Sequence, residues 1–270
     1  MSNTPTKAGA NNMVTVIEAL ILAVIQGLTE WLPVSSSGHL VVAQEFLGLN
    51  PPLIFDVMLH VGTLLVVVAV FRQDILNILK ALAKGDLQSQ EGKQALYIVA
   101  GSIPIAATGF LLRDIFESLF CNLQSVGIAL LATGCILFIS EKRPGNKKIT
   151  AADSIIIGVA QAVAIIPGIS RSGLTVSTGL LRKIDKQTAF KFSFLLSIPA
   201  VLGATVFEAK DIIVGNVDMI PLLVGVVVAM VVGYVSLKLL QKIVLQEKFH
   251  YFAVYCWTAG LLLLVFVVLQ

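Results

Sequence analysis

The sequence predicts an all-α, polytopic integral membrane protein, and three observations carry that reading. Of 270 residues, 57% are hydrophobic and only 13% are charged. Soluble domains carry about 25% charged residues, so this chain has half of what a water-facing surface needs. Mean hydropathy is +0.91, and several apolar runs approach the ~20 residues that cross a hydrocarbon core of about 30 Å. Two of the runs break at similar polar clusters, "PVSSSGH" at Pro33–His39 and "PGISRSG" at Pro167–Gly173.

Taken in order, the first twelve residues, "MSNTPTKAGANN", are polar and expected to be disordered. The apolar run after them, Val14–Ile25, is too short to cross and meets Glu18 and Gln26 rather than a small-residue cleavage site. A cleaved signal peptide is therefore not expected. Full spans are expected at Leu53–Phe71, Leu96–Leu112, Gln124–Ser140, Thr188–Phe207, Met219–Leu240 and Tyr251–Leu269. Ile155–Ile166 is a second short run. A short run followed by Pro, Gly and Ser is expected to go part-way in, turn and leave by the same face.

The two clusters are related by position. Ser35-x-Ser37-Gly38 lies 135 residues before Ser170-x-Ser172-Gly173, and the same shift places Gln26 on Gln161 and Phe55 on Phe190. Each half reads as one re-entrant helix pair followed by three spans. Three is odd, so the second half starts from the opposite face, which is an inverted-topology repeat. The expectation is a single membrane-embedded domain over 1–270, with repeat one about 13–140 and repeat two about 150–270.

The net charge of +3 matters less than where the charges fall. If Leu53–Phe71 runs from outside to inside, the inside loops hold Arg72, Lys80, Lys84, Lys93, Lys142, Arg143, Lys147, Lys148, Arg182, Lys183, Lys186, Lys242 and Lys248. Only Lys7, Arg113 and Lys210 remain outside. By the positive-inside rule both termini, and the mouth of the first broken segment, are expected at the outer face. The partners expected are membrane lipid and a lipid substrate, not nucleic acid, and a homodimer is left open. Cys121, Cys135 and Cys256 are scattered, without disulfide or metal-ligand spacing, and read as packing residues.

Irregular backbone at membrane depth is tolerated only where it is buried in protein or faces a wet cavity. Two such turns entering from opposite faces would meet and enclose a polar pocket. The first brings Gln26, Glu30, Ser35, Ser36, Ser37 and His39, and the second brings Gly168, Ser170, Arg171, Ser172 and Thr175. Gln26 and Glu30 are i and i+4, on one helical face. Helices are expected to restart near His39 and Leu174, and free N–H groups at a restarting helix favour an anion. Arg171 adds a planar fork suited to phosphate oxygens. Glu30 then reads as a cation ligand or general base, and His39 as a proton relay or nucleophile, with Ser36 as the alternative nucleophile.

Simpler readings compete. Serine and glycine also let membrane helices pack closely. Glu30 with His39 also reads, as a lesser alternative, as a structural pair, and Arg171 as a counter-charge to Glu30. Asp56 and His60, an i, i+4 pair in the first full span, read as support for the broken segments. Lys191 reads as a snorkelling side chain. Trp31, Trp257, Tyr251 and Tyr255 suit an interfacial aromatic belt.

At "QGLTEWLPVSSSGH" and "PGISRSGLT" the sequence resembles the undecaprenyl-diphosphate phosphatase family, the bacitracin-resistance proteins. The resemblance extends to "FDVMLHVGTL" and "FKFSFLLSIPA". The family's first motif, glutamate or glutamine, three residues, then glutamate, falls on Gln26 and Glu30. Its histidine falls on His39, its serines on Ser35 and Ser36, and its PGxSRSxxT motif on Pro167, Gly168, Ser170, Arg171, Ser172 and Thr175. The resemblance implies hydrolysis of undecaprenyl diphosphate to undecaprenyl phosphate, recycling the carrier for cell-wall synthesis and giving bacitracin resistance. It also implies a divalent cation, Mg²⁺ or Ca²⁺, and action at the outer face of the cytoplasmic membrane. Gln26 departs from the two-glutamate form, so a metal site built on two carboxylates is not implied here. The rival reading is a transporter or flippase, because inverted repeats with broken helices are also transporter architecture.

Overall fold

The computed structural model describes residues 14–111, 123–141, 145–212, 218–246 and 248–269. The polar leader, Arg113, Cys121, Lys142, Arg143 and the Lys210 side chain lie outside the described residues. The described residues form eleven helices and no strand. In chain order they are α1 (Val16–Trp31), α2 (Ser36–Leu47), α3 (Leu53–Val70), α4 (Arg72–Ala83), α5 (Gln90–Leu111), α6 (Leu123–Glu141), α7 (Ala151–Val163), α8 (Arg171–Leu181), α9 (Lys186–Ile212), α10 (Met219–Leu245) and α11 (His250–Leu269).

Six of these, α3, α5, α6, α9, α10 and α11, are long and apolar enough to cross a membrane. They match the six predicted spans. Their outward faces are strongly apolar: Ile103 is 63%, Phe110 76% and Val268 83% exposed. Such a surface belongs in lipid rather than in water. The chain is a multi-pass membrane protein.

The two short runs form hairpins. α1 opens with a capping box, in which Thr15 accepts from the Glu18 amide at 3.3 Å and its own N–H donates to the Glu18 carboxylate at 2.7 Å. It stops at Leu32, whose ψ of 143° is the extended conformation that the ring of Pro33 imposes on the residue before it. Ser35 then caps α2, accepting from Gly38 N–H at 3.3 Å. α7 and α8 repeat the design with Thr150 and Asp153 as the capping box and Ser170 as the cap on Gly173 N–H at 3.1 Å. The end of α8 returns to the start of α7, where Arg182 Nε reaches Asp153 Oδ1 at 2.9 Å.

The structure corrects several expectations. The restarting helices begin at Ser36 and Arg171 rather than near His39 and Leu174, because the serines just before them take the cap position. Residues 72–83 are helical instead of loop, with Ile78 and Ala81 buried and charges on the other face. Lys191 does not snorkel freely but is ion-paired with Asp74 of α4.

α1 packs on α10 and α7 on α5, while α6 packs on α11 and α3 on α9. Exchanging the halves turns the first pair into the second and leaves the other two unchanged. Contact is closest where small residues meet: a Cβ on Gly158 would lie 2.2 Å from the Gly101 carbonyl oxygen, so only glycine allows this approach. Beneath the bends sits an aromatic core, with Trp31 5.4 Å from Phe194 and Phe194 4.5 Å from Phe190 between ring centroids. Trp31 is fully buried there, not at an interfacial belt.

Candidate active site

The two bends interlock. Gly168 N–H donates to Ser35 Oγ at 3.1 Å, Ser172 Oγ donates to the Leu32 carbonyl at 3.4 Å, and a Cβ on Gly38 would lie 3.1 Å from Gly168 Cα. Gly168 has φ +94°, a region open mainly to glycine, and that turn carries the chain from α7 into the bend. Ser35, at φ 70°, is a left-handed non-glycine residue whose hydroxyl accepts from both bends at once.

This meeting point surrounds one carboxylate. Glu30 Oε1 accepts from Arg171 Nη2 at 2.6 Å. Glu30 Oε2 accepts from Ser36 Oγ at 2.6 Å and from Gln26 Nε2 at 3.1 Å, with His60 Nε2 at 3.4 Å. The Glu30 side chain is only 6% exposed. A charge this buried is sustained by partners of opposite sign and hydrogen bonds. Arg171 lies 5.3 Å over the Trp31 ring, which supports the guanidinium from below. Its Nη1 is buried with no hydrogen-bond partner, as is Gln26 Oε1. The centre thus offers a spare acceptor and a spare donor, with Trp31 Nε1 a further unpartnered donor beneath the guanidinium.

Neighbouring elements hold the second bend. Thr133 of α6 donates to the Gly168 carbonyl at 3.1 Å and accepts from Ser170 N–H at 3.2 Å, spanning the turn. Asp153, fully buried, clasps the hairpin's open end through Lys147 at 2.6 Å and Arg182 at 2.9 Å. Burial alone would raise the Asp153 carboxyl, but hydrogen bonds from Lys147, Thr150 and Arg182 outweigh it and hold it well below the usual carboxylate range.

Of the predicted residues, Gln26, Glu30, Ser36 and Arg171 come together directly. Ser35, Gly168, Ser170 and Ser172 form the interlocked bends around them, and Ser37 Oγ lies 3.3 Å from Ser35 Oγ. Thr175 is buried, bonding the Arg171 carbonyl at 2.7 Å and Ser193 at 2.5 Å, which ties α8 to α9. His39 makes its bonds elsewhere, to the Ser35 carbonyl and to Tyr255, each at 2.7 Å. Tyr255 is therefore a partner of a site residue rather than a belt aromatic. Asp56 accepts both contacts from Gln44 at 2.9 Å, as a supporting role implies, whereas His60 reaches Glu30 itself.

Among the described residues no cluster of three His, Cys, Asp or Glu side chains stands ready for a metal ion. The oxygens this centre could lend a hard cation are those of the Glu30 carboxylate and the unpartnered Gln26 Oε1, with the remaining positions left to water.

Fold and site together define a polytopic membrane protein with a buried polar centre built by two interlocked helical hairpins. The chain belongs to the family described as bacitracin resistance protein BacA, which it matches over residues 19–262. It is 43% identical over 258 residues to an undecaprenyl-diphosphatase of Carboxydothermus hydrogenoformans, covering 92% of this chain and 96% of that protein. An undecaprenyl-diphosphatase of Methanobrevibacter smithii is 38% identical over 265 residues, covering 92% of this chain and 96% of the relative. A third, from Desulfosudis oleivorans, is 42% identical over 262 residues, covering 90% and 96%.

Proposed function

We propose that this chain is a membrane-embedded lipid diphosphatase that hydrolyses undecaprenyl diphosphate to undecaprenyl phosphate and inorganic phosphate. Membership of the BacA family and relatives named undecaprenyl-diphosphatase support the reaction. The transporter reading is not favoured, since those relatives are named as hydrolases and a transporter has no need of a hydroxyl hydrogen-bonded to a buried carboxylate.

The observation that carries the mechanism is Ser36 Oγ donating to Glu30 at 2.6 Å while Arg171 neutralises the other oxygen. A hydroxyl on a base is the arrangement of an activated nucleophile. As the diphosphate enters, Arg171 offers it the free Nη1, and its hold on Glu30 loosens. The N–H groups opening α2 and α8 face the same phosphate. Glu30 takes the Ser36 proton, and Ser36 Oγ bonds to the terminal phosphorus. The anhydride P–O bond breaks, with its electron pair leaving on undecaprenyl phosphate. Water then attacks the phosphoserine, His39 takes its proton and passes it to solvent, and Ser36 Oγ leaves with the bonding pair and takes back the proton held by Glu30. A divalent cation, Mg²⁺ or Ca²⁺, held by Glu30 and Gln26 Oε1, would neutralise phosphate charge.

Substrate labelled in its terminal phosphate tests this. Acid-quenched single turnovers should leave label on the wild-type protein and none on Ser36→Ala, whose turnover should be lost; undiminished turnover by Ser36→Ala would overturn the serine route. The site opens at the outer face of the cytoplasmic membrane, in keeping with the lysines and arginines of the opposite loops. Labelling of Ser36→Cys, with the native cysteines replaced, by an impermeant maleimide on spheroplasts supports that orientation; labelling only after lysis reverses it.

A further inference from the structure

His39 forms its hydrogen bonds outside the Glu30 centre, and those bonds fix its chemistry. Its Nδ1 lies 2.7 Å from the Ser35 backbone oxygen. A carbonyl only accepts, so Nδ1 carries the hydrogen, and in the neutral ring Nε2 is left as the acceptor. Facing Nε2 at 2.7 Å is the hydroxyl of Tyr255, which therefore donates. The two rings lie nearly parallel, 14° apart with centroids at 5.7 Å. The next residue on α11, Cys256, donates to the Pro33 carbonyl at 3.5 Å, so one turn of α11 grips both the first bend and the helix that restarts from it. Ser36 and His39 sit three residues apart on α2, on adjoining turns of one face.

We infer that Tyr255 is a positioning residue for the hydrolytic reaction. Its hydroxyl holds the His39 ring, already in the Nδ1–H form that the Ser35 carbonyl sets, in one orientation, and caps Nε2 as the basic nitrogen until the attacking water displaces the phenol. This rests on the diphosphatase reading and on His39 as the base of the second step. A phenol from the last helix thus joins a site built mainly by the two bends.

Tyr255→Phe removes one oxygen and little packing. Prenyl diphosphate hydrolysis by purified protein in detergent is measured for wild type, Tyr255→Phe, His39→Ala and the double variant, with thermal unfolding of each in the same detergent. The expected result is a kcat about tenfold lower in Tyr255→Phe with KM within about twofold, the scale of one lost hydrogen bond. The double variant should be no slower than His39→Ala alone, because a residue that acts only through His39 has nothing left to position. Equal losses in both backgrounds, or no loss in Tyr255→Phe, overturn the inference while leaving the diphosphatase reading intact. Wild-type rates in His39→Ala overturn it together with the role given to His39, and leave the Ser36–Glu30 chemistry standing. Loss of all hydrolysis from wild type itself would instead sink the diphosphatase reading.

Discussion

Ser36 and Arg171 occupy the same position in their helices, the first residue after the capping serine, and each ends 2.6 Å from a different oxygen of Glu30. A shift of 135 residues carries one onto the other. Two equivalent helix starts have thus been given different chemistry, a hydroxyl in one half and a fixed cation in the other. One carboxylate joins them.

That division makes Arg171 hard to replace. Lysine keeps the charge and has N–H donors to spare, but its compact ammonium lacks the planar fork that pairs with Glu30 through Nη2, lies on Trp31 and offers Nη1 to phosphate. Arg171→Lys is expected to lower kcat/KM for phosphate release by roughly 100-fold. Near-wild-type kinetics for the lysine variant would remove the bidentate role.

A bound cation would have its own signature. If Gln26 Oε1 is a ligand, Gln26→Ala should raise the Mg²⁺ concentration for half-maximal activity by about tenfold, with the saturated rate little changed. A Mg²⁺ titration checks it; an unshifted midpoint places the cation elsewhere.

Asp153 bears on stability rather than on chemistry. Asp153→Asn should cost roughly 2–3 kcal/mol, the scale of hydrogen bonds to a charged group. Because the folded-state carboxyl is held below its unfolded value, this contribution is complete above the unfolded pKa and is lost as pH falls through the folded one. The gap in Tm between wild type and Asp153→Asn should then stay constant from about pH 5 to 8 and narrow only below about pH 4. A gap that closes near neutrality would point to another group.

The bends rest on a glycine that has no room to change. A Cβ on Gly168, at φ +94°, would sit 2.5 Å from the Val126 carbonyl oxygen and 2.7 Å from Ala129 Cβ. Gly48, at φ +64°, has nothing within 4 Å. Thermal unfolding should therefore show Gly48→Ala losing about 1 kcal/mol and Gly168→Ala about 3 or more. Equal losses would mean that the bend is not tightly packed.

Much of this was legible in sequence because lipid is an exacting solvent. Prolines, serines and a glutamate at membrane depth require an enclosed polar centre, so Gln26, Glu30, the serines and Arg171 could be named from composition and position. Continuous apolar runs gave the six spans. α4 was missed because its apolar residues, Ile75, Ile78, Leu79 and Leu82, recur between charges rather than in a run. Tyr255 was misjudged for a different reason: a residue inside a span shows its own helical face but not which helix it will meet. Trp31 looked like a belt aromatic because it ends a short helix, although that end lies in the core. One signal was available and unused, the capping boxes Thr15–Glu18 and Thr150–Asp153, which sit at the same 135-residue shift.

The whole scheme turns on Glu30, and release of inorganic phosphate from undecaprenyl diphosphate by folded Glu30→Gln protein probes it without altering the size of the side chain. Hydrolysis is expected to fall by roughly 10²–10⁴-fold, the range lost with a general base, while the unfolding temperature shows the hairpins still packed. Activity within a few-fold of wild type would mean that the carboxylate between Ser36 and Arg171 only holds the two hairpins together.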